Sequence, residues 1–226
     1  MWNYRKSRFW LLLFSIVIML AVASVQITNS KNTPSGEEAS LELPEKSAAE
    51  ILGDLANQQF SILGSQIRDD DKETVVAFAK AFVNLYTGAI AEQQTVSFNN
   101  YISNGNLLQY TNTMLELEQR QEVKGAVRFI FGLENEFKQA ELQKLDGNLY
   151  FVELPFSNQG AGMSLKLLVQ AENKALKIVD LYFGNKDGVD TIVTGHPAVR
   201  KLQDPKRWDD PVWVDGVFEK LEKIGI

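Results

Sequence analysis

Cysteine is absent from the 226 residues, and histidine occurs once, at His196. Without cysteine there is no disulfide, no thiolate nucleophile, no lipoprotein-type thiol anchor and no cysteine-based metal site. A domain of this composition must draw its stability from a hydrophobic core. Positive charge is also scarce, with 23 basic against 29 acidic residues. Taking Arg5, Lys6 and Arg8 away from the basic set leaves 20 against 29, a net charge of −9 beyond the N-terminal segment. Such a surface repels phosphate backbones, so nucleic acid is excluded as a partner.

Against these absences stands one long apolar run. Arg5, Lys6 and Arg8 precede an uncharged stretch from Phe9 to Ile27. As a helix, these residues reach roughly 28 Å, close to the ~30 Å hydrocarbon core of a bilayer. The basic flank on the N-terminal side predicts a cytoplasmic N-terminus, with the chain beyond Thr28 outside the cell membrane. Phe9 and Trp10 suit the membrane interface. The alternative is a cleavable secretory signal, with Ala21-Val22-Ala23 as a small-x-small site and release of the chain after Ala23.

Three regions follow: residues 1–27 as short cytoplasmic end and anchor (or signal peptide), 28–46 as a flexible linker, and 47–226 as a single extracytoplasmic α+β domain. The linker is crowded with Asn29, Ser30, Asn32, Pro34, Ser35, Gly36 and Pro44 and has little to bury. Ser47-Ala48-Ala49-Glu50 has the spacing of a capping box, and Ile51, Leu52, Leu55, Phe60, Ile62 and Leu63 extend it as a helical stripe. Asp69-Asp70-Asp71 opens a second helix, along which Val75, Val76, Phe78, Ala79, Phe82, Val83, Leu85 and Tyr86 recur at helical spacing. Asn104-Gly105-Asn106 caps a third, carrying Leu107, Leu108, Thr111, Met114, Leu115 and Leu117 to about Gln121.

Beyond Val123 the period shortens to two. Val127, Phe129 and Phe131 alternate, and Phe137 to Leu145 leads into an Asp146-Gly147-Asn148 turn. Tyr150, Val152, Leu154 and Phe156 alternate toward the core, leaving Phe151 and Glu153 to face away. A Ser157–Gly162 loop leads to Met163, Leu165, Leu167 and Val169, then Glu172-Asn173-Lys174 turns the chain into a strand where Val179, Leu181 and Phe183 share a face. A last helix begins at Pro211, with Trp213, Val214, Val217, Phe218 and Leu221 on its apolar side. Helices first and an antiparallel meander second predict an α+β domain.

This order of elements, helices from about Asp71 to Gln121 and strands from about Val123 to Gly184, resembles the nuclear-transport-factor-two-like superfamily, also called cystatin-like α+β cones. The likeness spans half of the chain and implies N-terminal helices packed in a curved, cone-like antiparallel sheet. That superfamily serves enzymes, ligand binders and scaffolds alike. Separately, Trp2-Asn3-Tyr4-Arg5-Lys6-Ser7-Arg8-Phe9-Trp10 and its apolar sequel look like the last transmembrane segment of the beta-lactam sensor-transducer metallopeptidases of Gram-positive bacteria. That likeness implies topology and a Gram-positive origin, and nothing of the peptidase, whose His-Glu-x-x-His motif is missing.

The chemistry on offer is thin. His196 would need acidic partners such as Asp187 and Asp190 for a proton relay or cation site, and reads more simply as part of a turn. Asp69-Asp70-Asp71 lacks the spacing of a calcium loop, and Gly160 and Gly162 lack the lysine and helix of a phosphate loop. Glu134 and Glu136 would share a strand face, which a general acid and base would require, but read as a solvated edge. No catalytic residue, cofactor or metal site is therefore assigned. The least ordinary surface is the tail, where Arg200, Lys201, Lys206 and Arg207 gather beside Trp208 and Trp213. These six predict an interaction surface for an envelope protein or an anionic polymer. The expected function is that of a non-catalytic, membrane-tethered binding or scaffold module of the bacterial envelope, and a layout of short cytoplasmic end, single span and cone domain is similar to that of the scaffold subunits of conjugative secretion machines. The alternative is a small-molecule enzyme using the cone cavity, with Glu134, Glu136 or Asp180 as its acid or base.

Overall fold

The computed structural model describes residues 46–120, 130–146, 148–184, 188–196, 200 and 202–225. The expected anchor and the linker up to residue 45, together with Val127, Phe129, Asp187 and Lys201, lie outside the described residues. Lys46–Ile226 forms one compact unit of α+β structure.

Ser47 closes its capping box with Glu50 and starts helix α1, Ala48–Asn57. The helix ends sooner than the apolar stripe predicted. Gln58 is already extended, and Phe60 and Ile62 run as a short bridge beside Lys174–Leu176, so their spacing of two belongs to extended chain. Helix α2, Lys72–Ala91, is entered through a 3-10 turn at Asp69–Asp71, where the Arg68 amide donates to the Asp71 carboxylate at 2.7 Å. Asn104 accepts from the amides of Asn106 and Leu107 and so caps helix α3, Gly105–Gln119.

Five antiparallel strands follow: β1 Asn135–Phe137, β2 Glu141–Lys144, β3 Leu149–Asn158, β4 Ala161–Glu172 and β5 Ala175–Phe183. Both β1 and β2 lie along the same edge of β3, and their registers differ by one residue across the interruption, as a bulge would produce. The expected Ser157–Gly162 loop is instead a tight hairpin: β3 runs to Asn158, β4 begins at Ala161, and only Gln159 and Gly160 turn. Both have positive φ (49° and 79°), the backbone that matches strand twist in a two-residue turn. Asn173 and Lys174, with φ of 50° and 66°, make the second such turn where the sequence placed it.

Tyr150, Val152, Leu154 and Phe156 are buried on β3, in the expected register, against Leu165, Leu167 and Val169 of β4. On β5 the reading needs one correction. A β-bulge beside Val179 shifts the register between Leu168 and Val169, so Leu181 and Phe183 keep the core face while Val179 leaves it. The same bulge sends Asp180 and Tyr182 to the opposite face, paired with Leu168 and Lys166. There they are also buried, because the C-terminal segments cover them. Those segments are helix α4 Val189–Thr194, a 3-10 turn at Arg207–Asp209 and helix α5 Pro211–Gly225, which begins at Pro211 as expected.

Helix α2 is the centre of the core. Val75, Phe78, Ala79, Phe82, Val83, Leu85, Tyr86, Ala89 and Ile90 are all buried, and Phe78 and Phe82 join Phe98 and Tyr101 in an aromatic cluster. The stretch Asp69–Ala91 is long and apolar enough to cross a membrane, with a mean hydropathy of 1.4, yet 67% of that window is buried inside the protein.

Candidate functional site

The tail residues singled out by the sequence do not form one surface. Arg200, expected to be exposed, has no accessible side-chain area, and Trp208 is fully buried. Lys206 is exposed, while Arg207 and Trp213 are half-buried. The physical reason lies in the bulge on β5. It places the Asp180 carboxylate under the tail, and an acid in that position requires a cation and hydrogen-bond donors.

Arg200 supplies both. One guanidinium nitrogen donates to Asp180 Oδ1, and the other lies 3.3 Å from Asp190 Oδ1 and 2.9 Å from Thr194 Oγ1. The Trp208 indole N–H donates to Asp180 Oδ1 at 2.7 Å, as does the Leu181 amide at 2.9 Å. The guanidinium carbon sits 5.9 Å from the Trp208 ring and 5.7 Å from that of Trp213. Asp190 is held from four sides: its Oδ1 accepts from Tyr110, Thr194 and Arg200, and its Oδ2 from the Phe183 amide.

Two carboxylates share one guanidinium here, and Asp180 Oδ2 has no hydrogen-bond partner among the described residues. Burial pushes the Asp180 carboxyl up to about 6, a rise that Arg200 and the Trp208 indole only partly offset and that Asp190 reinforces. For Arg200, burial works against the charge, but Asp190 and Asp180 outweigh it and hold the guanidinium above its ordinary range. Asp180 is thus a structural acid under the tail.

The other acids proposed from sequence lie elsewhere. Glu134 and Glu136 line an open groove of ≈ 340 Å³ with Ser157, whose hydroxyl donates to Glu136 at 3.2 Å. His196 is exposed, its carbonyl accepting from the Arg200 amide. Asp69 accepts from the Tyr150 hydroxyl at 3.0 Å, and the Asp71 carboxylate caps the turn. Among the described residues no group of three or more metal-ligating side chains gathers.

On the far side of Asp190 lies a pocket that sequence reasoning did not find. Tyr86 of α2, Met114 and Glu118 of α3, Met163 of β4, Phe183 of β5 and the Gly188–Asp190 segment line it, with Phe131 at one side. Its volume is ≈ 40 Å³, several times the ~10–15 Å³ that admits one water. Gly184 belongs to its wall, and a Cβ there would come within 2.7 Å of the Ser164 carbonyl oxygen, so only glycine permits this approach of the two strands. The Tyr86 ring stacks on Phe183 with centroids 4.6 Å apart, and its hydroxyl, although buried, has no hydrogen-bond partner among the described residues. Burial, reinforced by Glu118 and Asp190, drives the phenol well above its ordinary value, so it stays protonated. Compared with protein-family models, with curated proteins and with solved structures, the chain matches none of them.

Proposed function

We propose that this chain is a membrane-tethered, extracytoplasmic binding or scaffold module of a bacterial envelope, held by Phe9 to Ile27 and acting through ligand or partner recognition rather than catalysis. The observation that carries the binding reading is the Tyr86 pocket. An apolar space opens beside the core, bordered by the buried Tyr86 hydroxyl, which has no hydrogen-bond partner among the described residues. Natural interiors satisfy such groups, and an orphaned one bordering a space is what a ligand would complete. The α+β order with helices against an antiparallel sheet agrees with the cone-like reading, and the fold analogy extends to envelope sensing or assembly systems. An anionic polymer is the weaker partner, because that expectation rested on positive charges of which Arg200 is spent inside. An envelope protein fits better.

The enzyme reading keeps one supporting observation, the Glu118 carboxylate in the wall of an apolar pocket. Of the acids first considered for it, Asp180 is committed to Arg200 and Glu134 and Glu136 face an open groove. Membrane tethering is tested by mass spectrometry of the mature N-terminus together with protease accessibility of the C-terminus in intact cells. We expect an intact N-terminus and an accessible domain. A mature chain starting at Ser24 would overturn the anchor.

A further inference from the structure

We propose that Asp180, Asp190 and Arg200 form an acid-tightened clasp, which holds Arg200 and the 202–209 segment against the sheet while Asp180 carries a proton and lets that segment open locally once the proton is lost. The clasp stands independently of the binding reading above.

The geometry carries the first step. Two carboxylates face a single guanidinium, and all three side chains are withdrawn from solvent. Asp190 uses both of its oxygens, whereas Asp180 gathers its donors on Oδ1 and leaves Oδ2 without a hydrogen-bond partner among the described residues. A proton on Oδ2 makes the cluster neutral and leaves every bond to Oδ1 in place. Without it one negative charge stays in excess in low dielectric, and opening, which brings water to Oδ2, relieves it. The titration of Asp180 at about 6, raised chiefly by burial, agrees with this order.

The second step is what the cluster fastens. Asp180 Oδ1 takes donors from both ends of the segment, the Arg200 guanidinium and the Trp208 indole, so one atom ties both to β5. The other ties run to α3, where Asn106 donates to the Trp208 carbonyl at 2.9 Å and Asn104 to the Asp209 carboxylate at 2.8 Å. The remaining ionisable groups packed around the cluster are engaged in other ways. Burial keeps Tyr110 of α3 and Tyr182 of β5 protonated, and Glu118 lies beyond Asp190 in the pocket wall. Lys166 of β4 pairs with Glu153 at 3.0 Å, Lys220 of α5 donates to the Val193 carbonyl at 3.1 Å, and Arg207 lies 3.8 Å from Asp204. These leave Asp180 to take the proton.

The test is hydrogen exchange of the full chain in detergent between about pH 4 and 7.5, with each rate corrected for its intrinsic pH dependence. The amides of Arg207, Asp209 and Asp210, which are hydrogen-bonded within this turn, are compared with those of helix α2. A closed clasp holds its proton more tightly than an open one, so opening gains as pH rises from about 4 and levels off above about 6. Protection of the segment should therefore fall by about tenfold per pH unit, about 100-fold in all, while staying below that of α2 at every pH. Asp180→Asn should remove this slope, and Asp204→Asn, at a more exposed acid of the same segment, should keep it. Protection that is flat with pH in the parent, or equal to that of α2 throughout, would overturn the clasp and leave the binding reading untouched. A slope that survives Asp180→Asn would overturn it too. Should that variant fail to fold, the parent's own comparison of segment and α2 decides.

Discussion

Asp190 stands between two neighbourhoods of opposite construction. On one side, Arg200, Trp208, Tyr110 and Thr194 surround the carboxylates of Asp190 and Asp180 with donors, and the tail is fixed to the sheet by them. On the other, Tyr86, Met114, Met163 and Phe183 leave a space with a hydroxyl that has no hydrogen-bond partner among the described residues. Both are buried, yet the first engages most of its polar groups, Asp180 Oδ2 and Arg200 Nε apart, and the second leaves the Tyr86 hydroxyl without a partner among the described residues. Charge in a protein interior is therefore not by itself the mark of a functional site. The difference is whether the polar groups are already spoken for.

The sharpest way to break this contrast is to remove the cation from the filled side. Arg200→Met should cost about 3–5 kcal/mol, because two buried carboxylates then lose their counterion. Urea unfolding measures it, and a variant as stable as the parent would return Arg200 to the solvent-exposed surface first expected of it. The next largest effect is a pH dependence. A folded Asp180 that titrates at about 6 holds its proton more tightly than an unfolded aspartate, so it favours the fold at low pH, and that contribution is lost as pH rises from about 4 through about 6. The loss amounts to about 3 kcal/mol over this window, and Asp180→Asn should abolish it. Parallel stability profiles for parent and variant would remove the excess negative charge from the description. Smallest is the effect on the open side: Tyr86→Phe should leave stability unchanged or raise it by about 1 kcal/mol, since an unsatisfied buried hydroxyl is deleted. A marked loss of stability would mean that the hydroxyl belongs to the core and not to a ligand.

Much of the fold was legible because it obeys local rules. The Ser47 and Asn104 caps, the apolar face of α2, the Asn173-Lys174 turn and the alternation from Tyr150 to Phe156 each follow from a few neighbouring residues. Phe60 and Ile62 were misread because spacings of two and of three or four overlap in a short apolar run. The helix Val189–Thr194 gives no periodic signal, its six residues being too few. Neither of the two sites was legible. The Arg200 cluster depends on a bulge that redirects Asp180, and no periodicity announces a bulge, although an aspartate between Val179 and Leu181 is a signal that something must neutralise it. The Tyr86 pocket joins residues from five segments spread between Tyr86 and Asp190, and Tyr86 itself looks like one more apolar position on the stripe.

Helix α2 carries a consequence for how the chain reaches its place. An exported chain crosses the membrane before it folds, and the insertion machinery then reads residues 69–91 by hydropathy alone, without the strands that later bury them. Under the proposed export, the core helix would at that moment compete with Phe9 to Ile27 for residence in lipid. Lys80, near its middle, opposes arrest there by about 3 kcal/mol on the insertion scale, enough to offset several of its valines and phenylalanines. In the folded domain the same lysine lies with its ammonium 5.5 Å from the Phe137 ring, its stem against the apolar surface. Under the proposed topology, a charge that the finished structure tolerates would thus keep this apolar helix moving through the membrane.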